Sequence, residues 1–268
     1  MPLQLRNNEA VGLLSADFQK RAEPNFAWQN VLSMYCMLPG IRGFWPTSSF
    51  GQVGANDYDL IDLSGQGRHL TGAAAPLYGH DGLAPYVSLD GQKDWFSRAT
   101  ETGLQIQGNE AYVVEPGLTL GGWWWFDAYG ADRAMIAKWV GPADLSYVLY
   151  YDNAAGQWVF AISQNGGAVA CSIGSSVAPA TGQWYYIVGR FDNTANTIDI
   201  WGNTTQNSGA CATANIFSGA ADLTIGATAG GGTLLDGRAS LVFLCASALP
   251  DYTINALYGH TKALYAHV

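Results

Sequence analysis

The chain has 268 residues, 49% of them hydrophobic and only 12% charged, which allows one large domain with a sizeable core, or two small ones, and argues against disorder. Its formal charge of −9, with 12 Lys and Arg spread over the whole length, argues against a nucleic-acid surface, which needs clustered cations. No apolar run is long enough to span a bilayer, and the opening Met1-Pro2-Leu3-Gln4-Leu5 lacks the basic-then-apolar pattern of a secretory signal.

In chain order, the first 25 or so residues are weakly patterned and read as an extended arm. Asn25 is a suitable N-cap, and Trp28, Val31, Leu32 and Tyr35 recur at helical spacing until Pro39-Gly40 stops the helix. That apolar face either packs on the chain's own core or docks on another subunit; the second option makes these four residues an assembly interface. Tyr86–Gly91 reads as a strand, with Gln92–Arg98 as its hairpin return, and residues 99–116 as a loop. Gly117–Phe126 follows a Pro-Gly break. It is apolar on both faces, as expected of a central strand covered on both sides, and Gly121 and Gly122 leave room for close approach. Short strands follow at 135–139, 147–151, 158–162, 168–173, 182–191, 197–201, 223–226 and 238–246, separated by Asn, Asp and Gly turns. Pro250-Asp251 opens a terminal helix over 252–265. The pattern predicts an all-β antiparallel sandwich, with residues 1–50 as an N-terminal arm and helix and 51–268 as the sandwich domain.

The candidate chemistry is sparse. Asp57, Asp59 and Asp62 have oxygen ligands for calcium at plausible spacing, but Asx and Gly turns explain the same residues. No glutamate follows Glu115, and the four histidines form no HxxxH or HExxH pattern, so no catalytic residue is assigned. Cys36, Cys171, Cys211 and Cys245 form no metal motif; reduced thiols are expected, with a Cys171–Cys211 pair left open. Exposed aromatics stack on sugar faces, and Trp124, Trp139 and Tyr151 are the candidates, against the expectation that most aromatics here are core.

The order of several segments resembles the laminin-G-like branch of the concanavalin-A-like jelly rolls. These are Asp62-Leu63-Ser64-Gly65-Gln66-Gly67, Leu89-Asp90-Gly91, Leu118–Trp123, Ile136-Ala137-Lys138-Trp139, Thr181–Val188, Ile198–Asn203, Leu223-Thr224-Ile225-Gly226 and Leu235-Asp236-Gly237-Arg238. Ala239-Ser240-Leu241 stands where the family often carries an acidic pair. The resemblance implies a jelly-roll β-sandwich over 62–258.

Ahead of it, Leu38–Pro46 is similar to segments preceding such jelly rolls in tailed-phage structural proteins. This second resemblance implies a non-enzymatic virion protein, a capsid decoration or tail-associated subunit made in the host cytoplasm. Its partners would be other virion proteins and its own copies, a trimer being one symmetric form that fits. A carbohydrate-binding attachment module is the alternative, and a glycan hydrolase a weaker one.

Overall fold

The computed structural model describes residues 24–47, 59–109, 115–266 and 268. Its first elements are α1 (Pro24–Cys36), β1 (Ile41–Trp45), β2 (Thr71–Ala73), β3 (Leu77–Asp81), β4 (Ala84–Asp90) and β5 (Trp95–Arg98). Then come β6 (Gly117–Phe126), β7 (Arg133–Val140), β8 (Asp144–Asp152), β9 (Gln157–Gly166) and β10 (Cys171–Gly174). The last are β11 (Trp184–Asp192), β12 (Thr197–Gly202), β13 (Thr205–Ala210), β14 (Leu223–Ile225), β15 (Asp236–Cys245) and α2 (Asp251–Thr261). Among the described residues, no helix is long and apolar enough to cross a membrane.

Two antiparallel sheets face each other as a jelly-roll-like sandwich. The first runs β13-β12-β11-β6-β15-β4-β3, with β1 on the free half of β15; the second runs β10-β9-β8-β7-β14-β5-β2. The expected hairpin over Gln92–Arg98 does not form: β5 crosses to the second sheet and pairs with β14 and β2, not with β4. Three amides, those of Gln92, Lys93 and Asp94, bond to the Asp90 carboxylate and turn the chain away from the first sheet.

β6 is central and alternates as its residues dictate. Leu118, Leu120, Trp124 and Phe126 enter the core between the sheets, while Trp123 and Trp125 face the opposite side. β15 carries a bulge between Ser240 and Phe243, where Leu241 takes φ 49. A side chain at Gly122 would lie 3.1 Å from the Ser240 carbonyl oxygen and from the Val242 Cα, so glycine lets the bulge sit against β6.

The outer face of the first sheet is covered by helices from both ends of the chain. Trp28, Val31 and Tyr35 of α1 are 2%, 3% and 0% exposed, and Leu32 is half-buried beside them. Tyr35 stacks on Phe44 at 4.6 Å and meets Phe243 at 5.4 Å. On the α2 side, Trp123 stacks on Tyr265 at 4.3 Å and donates its indole N–H to Thr261 Oγ1 at 2.9 Å. The four residues assigned to an assembly interface are therefore committed to the chain's own sheet, because a free apolar helix face finds the nearest apolar surface. For the same reason, the expected division at residue 50 does not separate two packing units. β1 pairs with β15, and Trp45 sits in the core between the sheets.

The second sheet has its own internal tie. Lys138 is buried, and its ammonium donates to Thr100 Oγ1 at 2.9 Å and to the carbonyls of Gly219 at 2.6 Å and Ala221 at 2.5 Å. Burial pushes its pKa down to about 8 against the pull of Asp144 and Asp222. Lys138→Met would remove the shared donor of these three oxygens, leaving the Gly219 carbonyl only the 3.5 Å contacts from Thr100 and Gln105, and should cost about 2–4 kcal/mol in urea unfolding; an unchanged midpoint would show the cage to be dispensable.

Candidate glycan-binding groove

The two sheets differ in what covers their outer faces. Where helices cap the first, the second carries, among the described residues, a small apolar cluster: Ala137 on β7, Val148 on β8 and Ala161 on β9, buried beneath Trp139 and Tyr150, each half-buried. These side chains line a depression of about 210 Å³, closed at its rim by Asp132, Val169, Thr228 and Thr233.

The register explains the assembly. Val148 lies opposite Ala161 on one side and Ala137 on the other, so three small or branched residues make a flat floor. The rim loop 228–233 is tied to β7 at both ends: Ala229 N–H bonds to the Trp139 carbonyl at 3.0 Å and Ala134 N–H to the Thr233 carbonyl at 2.8 Å. Thr233 Oγ1 and Thr228 Oγ1 are bonded at 3.0 Å. Asp132 Oδ1 accepts the Asn153 N–H at 2.9 Å, which holds the exposed carboxylate at the groove edge. Burial, then the nearby Asp152 and Asp132 charges, raise the pKa of the Tyr150 phenol, so it stays protonated and offers a donor. The site therefore combines a hydrophobic floor, two aromatic walls and a few polar groups, the usual makeup of a small-ligand site.

Of the three stacking candidates, only Trp139 faces this groove. Trp124 is fully buried between the sheets and has no open ring face. Tyr151 points inward too, against Tyr129 at 4.5 Å, so its neighbour Tyr150 takes the outer position; a one-residue step along a strand reverses the face. Sequence reading missed Asp132, Val169, Thr228 and Thr233. The glycine-rich run 228–233 was the one local signal for a rim loop.

Of the three aspartates weighed for calcium against a turn, Asp62 makes the turn. Asp62 Oδ1 accepts the N–H groups of Phe44 and Ser64, both at 2.9 Å, and Oδ2 accepts the Arg68 N–H at 2.8 Å and the Ser64 hydroxyl at 2.9 Å. That carboxylate clips a turn onto β1. Asp59 is buried, and Asp57 lies outside the described residues. Among the described residues, no group of three acidic, His or Cys side chains is placed to hold a metal. Cys171 and Cys211 form a disulfide, whereas reduced thiols were expected; Cys36 and Cys245 are free.

No curated protein sequence matches the chain significantly. Solved structures do match in fold. The binding domain of Paraclostridial Mosquitocidal Protein 1 superposes with a TM-score of 0.60 at 10% identity, over 82% of this chain and 52% of that one. The binding domain of botulinum neurotoxin DC, solved with rat synaptotagmin II, gives 0.60 at 13% identity, over 85% and 52%. A botulinum neurotoxin type C structure, whose description ties cell entry to two ganglioside molecules, gives 0.59 at 12% identity, over 88% and 53%. The chain thus spans about half the length of each of these structures. The profile of the Laminin_G_3 family matches residues 98–254, more than half of the chain and the whole run from β6 to β15, and on that match together with the two-sheet sandwich the chain belongs to the concanavalin A-like lectin/glucanases superfamily.

Proposed function

We propose that the chain is a non-catalytic glycan-binding module that docks a sugar in the groove of the second sheet. The observation that carries this reading is the depression in which the half-buried Trp139 and Tyr150 stand over the buried apolar floor of Ala137, Val148 and Ala161, on a molecule whose other broad sheet face is covered. A pyranose has an apolar C–H face that packs on an aromatic ring, and its hydroxyls bond to groups at a rim. The similar toxin binding domains, one of them described through gangliosides, lend the same direction. The non-catalytic reading is supported by the groove's lining, which holds one carboxylate, Asp132, where hydrolysis of a glycosidic bond calls for two facing carboxyl groups.

Trp139→Ala and Tyr150→Ala should each weaken glycan binding by about tenfold or more in titration calorimetry, with an unchanged circular dichroism spectrum. Binding that survives both substitutions, or no binding across a broad glycan array, would sink the reading.

Display of this module on a phage particle, as a capsid decoration or tail-associated protein, is the finer proposal, supported by the similarity of Leu38–Pro46 to phage segments. The Cys171–Cys211 bridge favours a final location outside a reducing cytoplasm. Any self-assembly would use a surface other than the buried face of α1. Retention of the purified protein on particles that lack it would support the virion role, and failure to bind them would remove it.

A further inference from the structure

We infer that the groove selects neutral saccharides and rejects sialylated or sulfated ones, with Asp132 as the specificity-determining residue. This rests on the glycan-binding reading of the groove and adds the class of ligand. Three observations lead there.

First, among the described residues the lining holds one charged side chain, the Asp132 carboxylate, and no Lys or Arg. Second, the two basic residues of β7 that flank this surface in sequence are both occupied, and neither lines the groove. The Lys138 ammonium is bonded to Thr100, Gly219 and Ala221 in the interior. The Arg133 guanidinium donates to the Leu234 carbonyl at 2.8 Å and lies 3.9 Å from Asp236. Third, a second carboxylate, Asp152, acts on the Tyr150 phenol together with Asp132, so both add negative field at the aromatic wall. An anionic sugar seated against Trp139 and Tyr150 would bring its charge beside these carboxylates with no cation to meet it, and like charges at short range disfavour binding. A neutral sugar meets the same carboxylate as a strong acceptor for a hydroxyl, because a hydrogen bond to an ionised group is the stronger kind. Asp132 Oδ1 is held by Asn153 N–H, so the carboxylate is oriented before a ligand arrives. The protein's net charge of −9 works in the same direction at longer range.

The test titrates the full chain with lactose, cellobiose and maltotriose, and with 3′-sialyllactose and a 6-sulfated lactose, in wild type, Asp132→Asn and Trp139→Ala. The expected result is that at least one neutral sugar binds and that it binds about tenfold or more tighter than either anionic probe. Asp132→Asn, which keeps an acceptor for Asn153, should weaken the neutral sugar several-fold and bring the anionic probes to within about threefold of it. Trp139→Ala should weaken every bound probe. An anionic probe that binds as tightly as the neutral ones and loses affinity in Trp139→Ala overturns the selectivity while leaving the groove as the site. An unchanged neutral-to-anionic ratio in Asp132→Asn overturns the role of Asp132. Affinity that ignores Trp139, or no affinity for any probe, overturns the groove itself, and the selectivity with it.

Discussion

Trp28→Ala should lower the unfolding free energy by about 3–5 kcal/mol and leave the mass in solution unchanged. The indole is 2% exposed and belongs to the layer in which α1 packs on β15 and β1. Its N–H has no acceptor among the described residues, so truncation removes packing and leaves no partner stranded. Tyr35, on the same helix, is already held by its stack on Phe44. Leu32, on the same helix but half-buried, provides the control, and its truncation should cost clearly less. Denaturant unfolding followed by tryptophan fluorescence reads the stability, and light scattering on the same samples reads the mass. If Trp28→Ala instead splits a defined oligomer into folded subunits, α1 is an assembly element after all and its packing on the chain's own sheet is secondary.

The second large effect belongs to the disulfide. Cys171 opens β10 at the edge of the second sheet, and Cys211 follows β13 at the edge of the first, so the bridge closes the sandwich across its open side. It joins residues 40 apart in sequence. A loop of that length restricts the unfolded chain enough to contribute about 3–4 kcal/mol. For a chain of this size, reduction should therefore lower the melting temperature by roughly 10 °C. Cys211→Ser should reproduce the effect and be insensitive to reductant. The groove should feel the change too, since Val169 on its rim lies two residues before Cys171. A melting temperature that ignores both reductant and the serine variant would show that the two sheets hold together without the bridge.

Much of this architecture is legible in the residue pattern. The run Gly117–Phe126, apolar on both faces, reads as a covered central strand, and β6 lies between β11 and β15 with aromatic side chains buried on each side. The Asn, Asp and Gly turns place most later strands within a few residues of their observed ends. β13 was missed because Thr205–Ala210 is an exposed polar edge strand with no apolar alternation to reveal it. β2 and β3 escaped for the same reason: both are edge strands, without a buried face.

The candidate site was legible in kind and not in position. Aromatic residues on a sandwich face are a fair expectation, and Trp139 meets it. Choosing Tyr151 over Tyr150 failed because parity along a strand says which residues share a face and not which face is open. The irregularities in β7 and β8 pairing, one between Ala134 and Ile136 and one between Lys138 and Trp139, also break simple counting from strand to strand.

Periodicity and turn chemistry are local properties, so the chain's residues alone settle the all-β class, the central strand and the turns. Which sheet face stays open is decided by segments far apart in sequence. α1, near residue 30, and α2, near residue 255, both fold onto the first sheet, because Trp123, Phe44 and Phe243 offer them the larger apolar surface. The second sheet carries on that side the small cluster of Ala137, Val148 and Ala161 under Trp139 and Tyr150, and among the described residues no helix covers it. That one-sided cover leaves Trp139, Tyr150 and Asp132 together at the surface.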